Sequence, residues 1–373
     1  MPRKPEAEPG VSPQGGAGFR IAAGLLAAAV ALLLFLGIAE VAFRLLGIHG
    51  EYLAPRTDVV LPGPEGIRER VPYGFVPHAT IRSRYDGDPR GALQPGAIRD
   101  HVFNADGWRD VEHPVDKPSG TLRILGLGDS YLFGQGVARE DVVLAQLGTI
   151  LATRRPDLKV ETINTGMSGY NTAMERDLLV ARGLAYDPDL LLVFFVLNDV
   201  ERDPRAAPGE APKVEFFREY TNVYQQPDAL SRHSYLWGWA RQRYLQAVEG
   251  RRYIREMLDA FLDDEESWAY VTGALDDIDR IAREHDLPWA VIVFPFLYQL
   301  DGDYPFQPIH DRIDAHVRSL GVPVLDLRDA FRAYRGPELW VHPTDQHPNE
   351  IAHRVAAMAI ADFVSDPATG LLP

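Results

Sequence analysis

The unbroken apolar run Leu190–Leu197 is the feature that most limits what this chain can fold into. A strand with one face in water alternates apolar and polar residues, whereas a strand buried on both faces is apolar throughout. The run therefore predicts a central strand of a parallel sheet. It stops at Asn198 and Asp199, where we expect the strand to end.

Shorter apolar runs alternate with stretches of helical periodicity on both sides of this strand. Strands are expected at Arg123–Leu127, Val160–Asn164, Trp289–Phe294 and Val322–Leu327, and helices at Val142–Arg154, Thr172–Ala185, Ala274–His285, Ile309–Leu320 and Glu350–Val364. Strands that alternate with helices predict a mainly parallel sheet covered by helices on both faces. The expected fold is therefore an α/β, three-layer α/β/α sandwich.

An uncharged run of 19 residues, Ile21–Ala39, precedes this region. As a helix it would be roughly 28 Å long, close to the thickness of the hydrocarbon core of a bilayer. It is longer than the core of a typical cleavable signal peptide, and no clear cleavage site follows it. We expect one transmembrane helix with the N-terminus in the cytoplasm, because Arg3, Lys4 and Arg20 precede it. A buried helix of a soluble protein is the alternative.

Composition excludes several classes of function. The net charge of −15 over 373 residues argues against nucleic acid as a partner. Cysteine is absent, so the chain has no disulfide framework and no cysteine-based metal site. A reducing compartment and a bacterial envelope protein without disulfides both fit this composition.

These patterns predict four consecutive parts of the chain. They are a disordered cytoplasmic tail (1–18), a transmembrane anchor (19–47), a Pro- and Gly-rich collar (48–120) and a large α/β domain (121–366) with an insertion at about 200–262. In the collar, short β elements are expected at Val71–Val76 and Ile98–Phe103. The insertion opens as a loop and continues as an aromatic and basic helix, Ser234–Leu245. It could pack on the core, cover the site as a lid or lie on the membrane surface.

Ser130 is the strongest candidate for a nucleophile. It follows the turn Gly128-Asp129 at the carboxyl end of a strand, where open α/β sheets bind their ligands. A helix, expected to begin near Asp141, would direct its positive end and free amides at an anion formed there. A dinucleotide-binding loop is excluded because it would need glycine at Tyr131, and an ordinary turn is the alternative.

Two further residues that follow strands could donate hydrogen bonds to the same point. Gly169 lies in a loop after the second strand, where its backbone could approach a ligand closely. Asn198 follows the third strand and has a side-chain N–H donor. Each residue taken alone is also an ordinary turn residue.

Asp345 and His347 lie just before the last helix, for which Asn349 is the expected N-cap. They could supply the orienting acid and the general base that a serine nucleophile needs. Two residues apart in an extended segment, their side chains can face the same way. Metal binding that also uses His342 is the competing interpretation, although no helical zinc-binding motif supports it.

The order of these residues resembles the blocks of the SGNH, or GDSL, hydrolase superfamily over roughly residues 120–365. The resemblance implies an SGNH-hydrolase fold, which is flavodoxin-like, with Ser130 as nucleophile and His347 as base. The Ser130 amide, the Gly169 amide and the Asn198 side chain would form the oxyanion hole. Asp345 would orient His347.

The sequence departs from the pattern of this family in two places. The common pattern has its acid three residues before the histidine, where this chain has Thr344. Asp345 lies two before, a spacing that is similar to some envelope members acting on polysaccharides. Val196-Leu197 also replaces the glycine that many members have before Asn198. The anchor and the segment Asn104–Asp110 resemble membrane-tethered bacterial members.

The sequence therefore predicts a membrane-anchored extracytoplasmic serine esterase of a bacterial inner membrane, with its catalytic domain in the periplasm. It would remove or transfer O-acyl groups, with a glycan as the carrier, and would need no cofactor or metal. Its expected partners are an acyl-ester substrate and the membrane. A lipid esterase or thioesterase and a non-catalytic envelope binding protein are the alternatives.

Overall fold

The computed structural model describes residues 16–48, 74–85, 87–201 and 228–372. The chain divides into two compact units. The first comprises Met1–Glu51 and Pro227–Tyr244, and the second comprises Tyr52–Gln226 and Leu245–Pro373. The division into tail, anchor, collar and α/β domain stays a prediction.

The helices and strands of the described residues are as follows. The strands are β1 (Thr80–Arg84), β2 (Ile98–Val102), β3 (Thr121–Gly128), β4 (Lys159–Asn164), β5 (Leu190–Val196), β6 (Trp289–Phe294), β7 (Val324–Asp326), β8 (Trp340–His342) and β9 (Asp345–Pro348). The α-helices are α1 (Gly16–Leu46), α2 (Ser130–Phe133), α3 (Val143–Arg154), α4 (Thr172–Ala181), α5 (Tyr235–Leu262), α6 (Glu265–Glu284), α7 (Gln307–Ser319), α8 (Arg328–Phe331) and α9 (Glu350–Ser365).

A five-stranded parallel sheet forms the centre of the second unit, in the order β4-β3-β5-β6-β7. Every residue of β5 and of β6 is buried. Apolar strands of this kind must be covered on both faces, which is why they lie inside the sheet. The five predicted strands are confirmed, with ends that differ by at most two residues.

Helices cover both faces of this sheet. On one face, α3 packs against α9. Right-handed crossovers place α4, α6 and α7 on the other face, where α4 packs against α6. The predicted three-layer α/β/α sandwich is confirmed.

The strand order reverses between β3 and β5, which lie side by side in the sheet. In open α/β sheets, such a switch point leaves a crevice at the carboxyl ends of the strands, where ligands bind. Ser130 follows β3 and Asn198 follows β5. The fold therefore brings these two residues to the place where a site is expected.

Some predicted helix boundaries were wrong. The helix expected near Asp141 is preceded by one turn of helix, α2, which begins at Ser130 itself. The helix expected from Ala274 begins nine residues earlier, since Asp264 accepts a hydrogen bond from the Glu266 amide and so caps α6. Asn349 caps α9 as expected, and Asn171 caps α4.

In the collar, β1 and β2 form a two-stranded antiparallel ribbon. The strand expected at Val71–Val76 is wrong for residues 74–76, which form no strand, while residues 71–73 lie outside the described residues. The strand forms at β1 instead, after a turn at Pro77 and His78, because proline cannot donate a ladder hydrogen bond. The strand expected at Ile98–Phe103 is confirmed as β2.

In the first unit, α1 is a long apolar helix. Among the described residues, Gly18–Leu46 is long and apolar enough to cross a membrane, by length and composition, with a mean hydropathy of 2.7. The tail expected to be disordered through residue 18 is wrong for residues 16–18, which already belong to α1, and residues 1–15 lie outside the description. So do residues 202–227, which hold the loop expected at the start of the insertion.

A carboxylate joins α1 to the start of α5. Glu40 accepts hydrogen bonds from the Ser234 hydroxyl at 2.8 Å and from the amides of Tyr235 and Leu236, each at 3.0 Å. The first amides of a helix have no partner within it, and an acidic side chain there also meets the positive end of the helix dipole. The acid at the end of the apolar helix thus has a structural partner within this unit.

Candidate active site

Ser130 lies at the first position of α2, where the chain turns sharply out of β3. Asp129 caps this one-turn helix by accepting a hydrogen bond from the Tyr131 amide at 2.8 Å. A Cβ at Gly128 would lie 2.7 Å from the Cβ of Leu132 and 3.0 Å from that of Phe194. The sequence Gly-Asp-Ser therefore fits this turn because the first residue has no side chain and the second provides the cap.

The hairpin β8–β9 brings His347 to Ser130. His347 Nε2 lies 2.9 Å from Ser130 Oγ, and His347 Nδ1 lies 2.5 Å from Asp345 Oδ1. Successive side chains alternate along a strand, so residues two apart on β9 lie on the same side. This geometry joins serine, histidine and aspartate in one hydrogen-bonded chain across the carboxyl edge of the sheet.

Asp345 is 1 % exposed and bonds through both of its oxygens. Oδ1 bonds to His347, and Oδ2 accepts a hydrogen bond from the Tyr85 hydroxyl at 2.9 Å. Thr344, which has the position of the acid in the common family pattern, has its Oγ1 2.8 Å from His342 Nδ1. The geometry thus links the histidine to the acid two residues before it.

The predicted oxyanion donors lie around the same turn. Asn198 Nδ2 donates to Asp129 Oδ2 at 2.9 Å, which uses one of the two N–H bonds of this amide. Gly169 has a positive φ of 82° in the loop after β4. The Met167 amide pins this loop to the end of β3 by donating to the Gly128 carbonyl at 3.0 Å.

Arg109 of the collar supports the nucleophile turn from behind. Its guanidinium is buried and donates to the carbonyls of Phe133 at 2.8 Å, Gly134 at 2.7 Å and Val137. Carbonyls at the end of a helix have no partner within the helix. These three bonds give the arginine a structural role in the turn that carries Ser130.

Buried acids near Asp129 were not foreseen from the sequence. Burial raises the pKa of Asp129, although hydrogen bonds from Asn198 and the Tyr131 amide oppose this. Burial also raises the pKa values of Glu175 and Asp199, and it raises the pKa of Glu201 to about 8. Burial therefore disfavours the charged form of each of these side chains relative to an exposed carboxylate.

Comparison with protein families identifies the fold family of this site. The model of the GDSL-like lipase/acylhydrolase family matches residues 127–355, more than half of the chain. The chain belongs to the GDSL-like lipase/acylhydrolase family. The matched segment begins within β3 and includes Ser130 and His347, and the activity of this family is ester hydrolysis.

Solved structures resemble the chain at low sequence identity. A putative lipolytic protein of the G-D-S-L family from Desulfitobacterium hafniense is 13 % identical, with a TM-score of 0.37 over 65 % of this chain and 99 % of that one. An acetylxylan esterase from Geobacillus stearothermophilus is 14 % identical, with a TM-score of 0.43 over 66 % and 95 %. A psychrotrophic esterase from Pseudoalteromonas is 13 % identical, with a TM-score of 0.39 over 66 % and 98 %. No curated protein sequence matches the chain.

The structure therefore brings the predicted residues together to different extents. Ser130, His347 and Asp345 are joined directly, and Asn198 reaches the same turn through Asp129. Gly169 lies in the adjacent loop. Sequence reasoning missed Tyr85, which lies far away in the chain and outside the family match, and no short motif surrounds it.

Proposed function

We propose that this GDSL-family protein is a serine esterase whose nucleophile is Ser130. The observation that carries the proposal is the hydrogen-bonded chain from Ser130 Oγ through the His347 ring to Asp345 Oδ1. A serine hydroxyl becomes a useful nucleophile only when a base can take its proton as it attacks. The distances to His347 fit that requirement.

In the proposed reaction, Ser130 Oγ forms a bond to the ester carbonyl carbon while its proton passes to His347 Nε2. The tetrahedral intermediate then collapses, the bond to the alcohol oxygen breaks, and His347 returns the proton to the leaving alcohol. A water molecule then attacks the acyl-enzyme carbonyl while its proton passes to His347 Nε2. The bond to Ser130 Oγ breaks, and His347 returns the proton to Ser130. When a sugar hydroxyl replaces this water, the product is a transferred acyl group.

Asp345 holds His347 in the orientation and tautomer that this reaction needs. With the Nδ1 hydrogen donated to Asp345, the Nε2 lone pair faces Ser130, and the carboxylate stabilises the imidazolium that forms. The oxyanion would be bound by the Ser130 amide, the Gly169 amide and the free N–H of Asn198. Such donors act mainly in the transition state, so each is worth about 10²- to 10³-fold in rate.

We propose that α1 anchors the enzyme in the bacterial inner membrane with the catalytic domain outside the cytoplasm. The basic residues before the apolar run, Arg3, Lys4 and Arg20, support this orientation. Exposed aromatic residues at the start of α5, among them Trp237 and Tyr244, are of the type found at membrane surfaces. The bonds from Glu40 to the first residues of α5 hold this segment at the end of the apolar helix.

The absence of cysteine makes this topology easy to test. Single cysteines introduced as Glu6→Cys and Asp303→Cys are treated with a membrane-impermeant maleimide on intact spheroplasts. We expect labelling at position 303 and protection at position 6 until the membrane is permeabilised. Labelling of position 6 on intact spheroplasts would mean that the N-terminus lies outside the cytoplasm. Release of a chain that lacks residue 6 would indicate a cleaved signal sequence.

We propose an O-acylated glycan as the substrate, because an extracytoplasmic acylhydrolase held near the membrane faces the carbohydrates of the envelope. A lipid ester is the second candidate, favoured by the exposed aromatic residues at the start of α5. Short- and long-chain esters distinguish these two. The intact distances among Ser130, His347 and Asp345 argue against a non-catalytic binding protein.

The test uses the full chain in detergent, with Ser130→Ala and a control, Ser319→Ala, in which an exposed serine at the end of α7 is changed. We expect a fluorophosphonate to label the wild type and the control but not Ser130→Ala. Hydrolysis of p-nitrophenyl acetate should follow the same pattern and exceed that of long-chain esters. Equal labelling of Ser130→Ala would contradict the proposal, and preference for long chains would favour the lipid substrate.

A further inference from the structure

Tyr85 of the collar reaches into the catalytic hairpin. It follows β1, is 4 % exposed, and donates its hydroxyl hydrogen to Asp345 Oδ2 at 2.9 Å. The two residues lie 260 positions apart in the sequence. Asp345 is therefore held from two sides, by the histidine on its own strand and by a phenol from outside the family match.

The surroundings of Tyr85 hold its hydroxyl in one place. The Tyr85 amide donates to the Ala97 carbonyl at 2.9 Å, which ties the residue to the ribbon β1–β2. Its ring centroid lies 5.4 Å from that of His342, on the strand that pairs with β9. Both the backbone and the ring of Tyr85 are thus fixed relative to the hairpin.

Gly136, six residues after Ser130, leaves the space that this hydroxyl occupies. A Cβ at Gly136 would lie 2.7 Å from the Tyr85 hydroxyl oxygen and 2.4 Å from Val341 Cγ1. Contacts this short cannot form without movement of the neighbouring groups. The segment after the nucleophile therefore leaves room for the phenol through a glycine.

We infer that Tyr85 is a positioning residue for the proposed serine esterase reaction. Its hydrogen bond fixes the rotation of the Asp345 carboxylate, so that Oδ1 points at His347 Nδ1. A carboxylate has several lone-pair directions, and a donor at each oxygen selects one rotation. This inference rests on the proposed function, because it assigns to Tyr85 the support of a base that acts on Ser130.

Two other titratable side chains, His101 and Tyr131, interact with the charge of Asp345. Burial lowers the pKa of His101 well below its ordinary value, so this nearby ring is neutral. Tyr131 is also buried, and burial raises its pKa, so it stays protonated. His347 and the Tyr85 hydroxyl hydrogen-bond directly to the two carboxylate oxygens of Asp345.

The first test compares Tyr85→Phe with the control Tyr298→Phe, which changes a partly exposed tyrosine, in the full chain in detergent. We expect kcat for p-nitrophenyl acetate to fall roughly 10- to 100-fold in Tyr85→Phe, as for loss of a hydrogen bond to a charged group, with KM nearly unchanged. The acidic limb of the pH–rate profile should also move to higher pH, because a carboxylate with one donor fewer attracts the imidazolium more strongly. A purely structural role would lower Tm without moving this limb.

The second test uses Gly136→Ala, which should displace the phenol without removing it. Gly321→Ala is the matched control, because Gly321 has a similar positive φ of 78° but open space where the Cβ would lie. We expect Gly136→Ala to lose activity as Tyr85→Phe does, and the double variant to lose little more than either alone. This variant decides the question if Tyr85→Phe does not fold.

The outcomes separate this inference from the proposed function. Retained activity and an unmoved pH profile in Tyr85→Phe, with Ser130→Ala inactive, would overturn the role of Tyr85 alone. Undiminished activity in Ser130→Ala would overturn the serine mechanism, and the inference with it. Additive losses in the double variant would also contradict the inference, because they would place Gly136 and Tyr85 in separate roles.

Discussion

Two regions of the molecule differ in what they contribute to the candidate site. The family match, residues 127–355, contains the groups proposed to react, Ser130, His347 and Asp345. The collar, residues 48–120, contributes buried side chains that bond to that region. The difference teaches that the groups proposed to do the chemistry and the groups that hold them in place come from separate parts of the chain.

Three collar residues show how this support is built. Tyr85 bonds to the acid of the hairpin, and Arg109 bonds to the carbonyls that follow Ser130. His113 lies 2.9 Å from Glu161 on β4 through its Nδ1. The collar therefore contributes contacts to the domain expected at residues 121–366, and a chain that begins at residue 121 would lack all three.

The largest expected effect would test whether the chemistry belongs to the matched region. Asp345→Asn should lower kcat about 10³- to 10⁴-fold, or about 4 to 5.5 kcal/mol, because the amide no longer stabilises the imidazolium or fixes its tautomer. Thr344→Val, at the position of the common family acid, should cost less than about 10-fold by the same reasoning. Steady-state hydrolysis of p-nitrophenyl acetate measures both. A larger loss in Thr344→Val than in Asp345→Asn would mean that the residue three before His347 supports it, which would contradict the geometry.

A pair of asparagines separates chemistry from stability within the matched region. Asn198→Ala should lower kcat about 10²- to 10³-fold, or about 3 to 4 kcal/mol, through loss of an oxyanion donor. Asn171→Ala removes the N-cap of α4 and should instead lower the free energy of unfolding by about 0.5 to 2 kcal/mol. Kinetics and denaturant unfolding are measured on both variants. If Asn198→Ala lowered only stability, its place in the oxyanion hole would be wrong.

Arg109→Met tests the supporting role of the collar. The change leaves the buried carbonyls of Phe133, Gly134 and Val137 without their donor, so we expect a loss of about 2 to 3 kcal/mol in the free energy of unfolding. Urea denaturation of the full chain in detergent measures it. Arg332→Met is the control. It changes an exposed arginine of the α/β domain and should change the free energy of unfolding by less than about 0.5 kcal/mol. Equal stability of the two variants would show that Arg109 does not stabilise the fold through these carbonyls.

The smallest expected effect is a pH dependence at His113. Burial lowers the pKa of His113, but hydrogen bonds and charge from Asp110 and Glu161 outweigh burial and raise it above its ordinary value. The stability from this contact is therefore fully present below about pH 6.5, the ordinary value for histidine, and is lost as pH rises through the higher folded value.

His113→Gln measures that contribution. The wild type should exceed the variant by about 1 kcal/mol in the free energy of unfolding at low pH, with the difference shrinking as pH rises. His285→Gln, which changes an exposed histidine after α6, should show no such trend. A difference that grew with pH would mean that His113 is held as a neutral ring.

Much of the fold could be predicted because its central strands, β5 and β6, are apolar throughout. The run Leu190–Leu197 predicts the ends of β5 to within one residue, because the polar residues that follow it mark where the buried strand stops. The N-caps Asn171 and Asn349 were predictable because a short polar side chain before a helical pattern has one common use. The switch point needed the strand order, which periodicity does not contain.

What could not be predicted depends on short or distant contacts. The one-turn helix at Ser130–Phe133 is too short to show a helical period. The contact of Tyr85 with Asp345 joins segments 260 residues apart, and no spacing rule connects them. Ser130 was named from its position after a strand, and Asp345 and His347 were named from their position before the last helix. The geometry joins the three residues, while their catalytic roles stay a prediction.

The hairpin β8–β9 has a consequence for how such sequences are recognised. On a strand, a residue two positions away shares a face, and a residue three positions away points to the opposite side. Because Asp345 and His347 both lie on β9, a spacing of two residues places their side chains on one face, where they can bond. A search pattern that requires the acid three residues before the histidine would therefore miss a pair that shares one face of a strand, as Asp345 and His347 do.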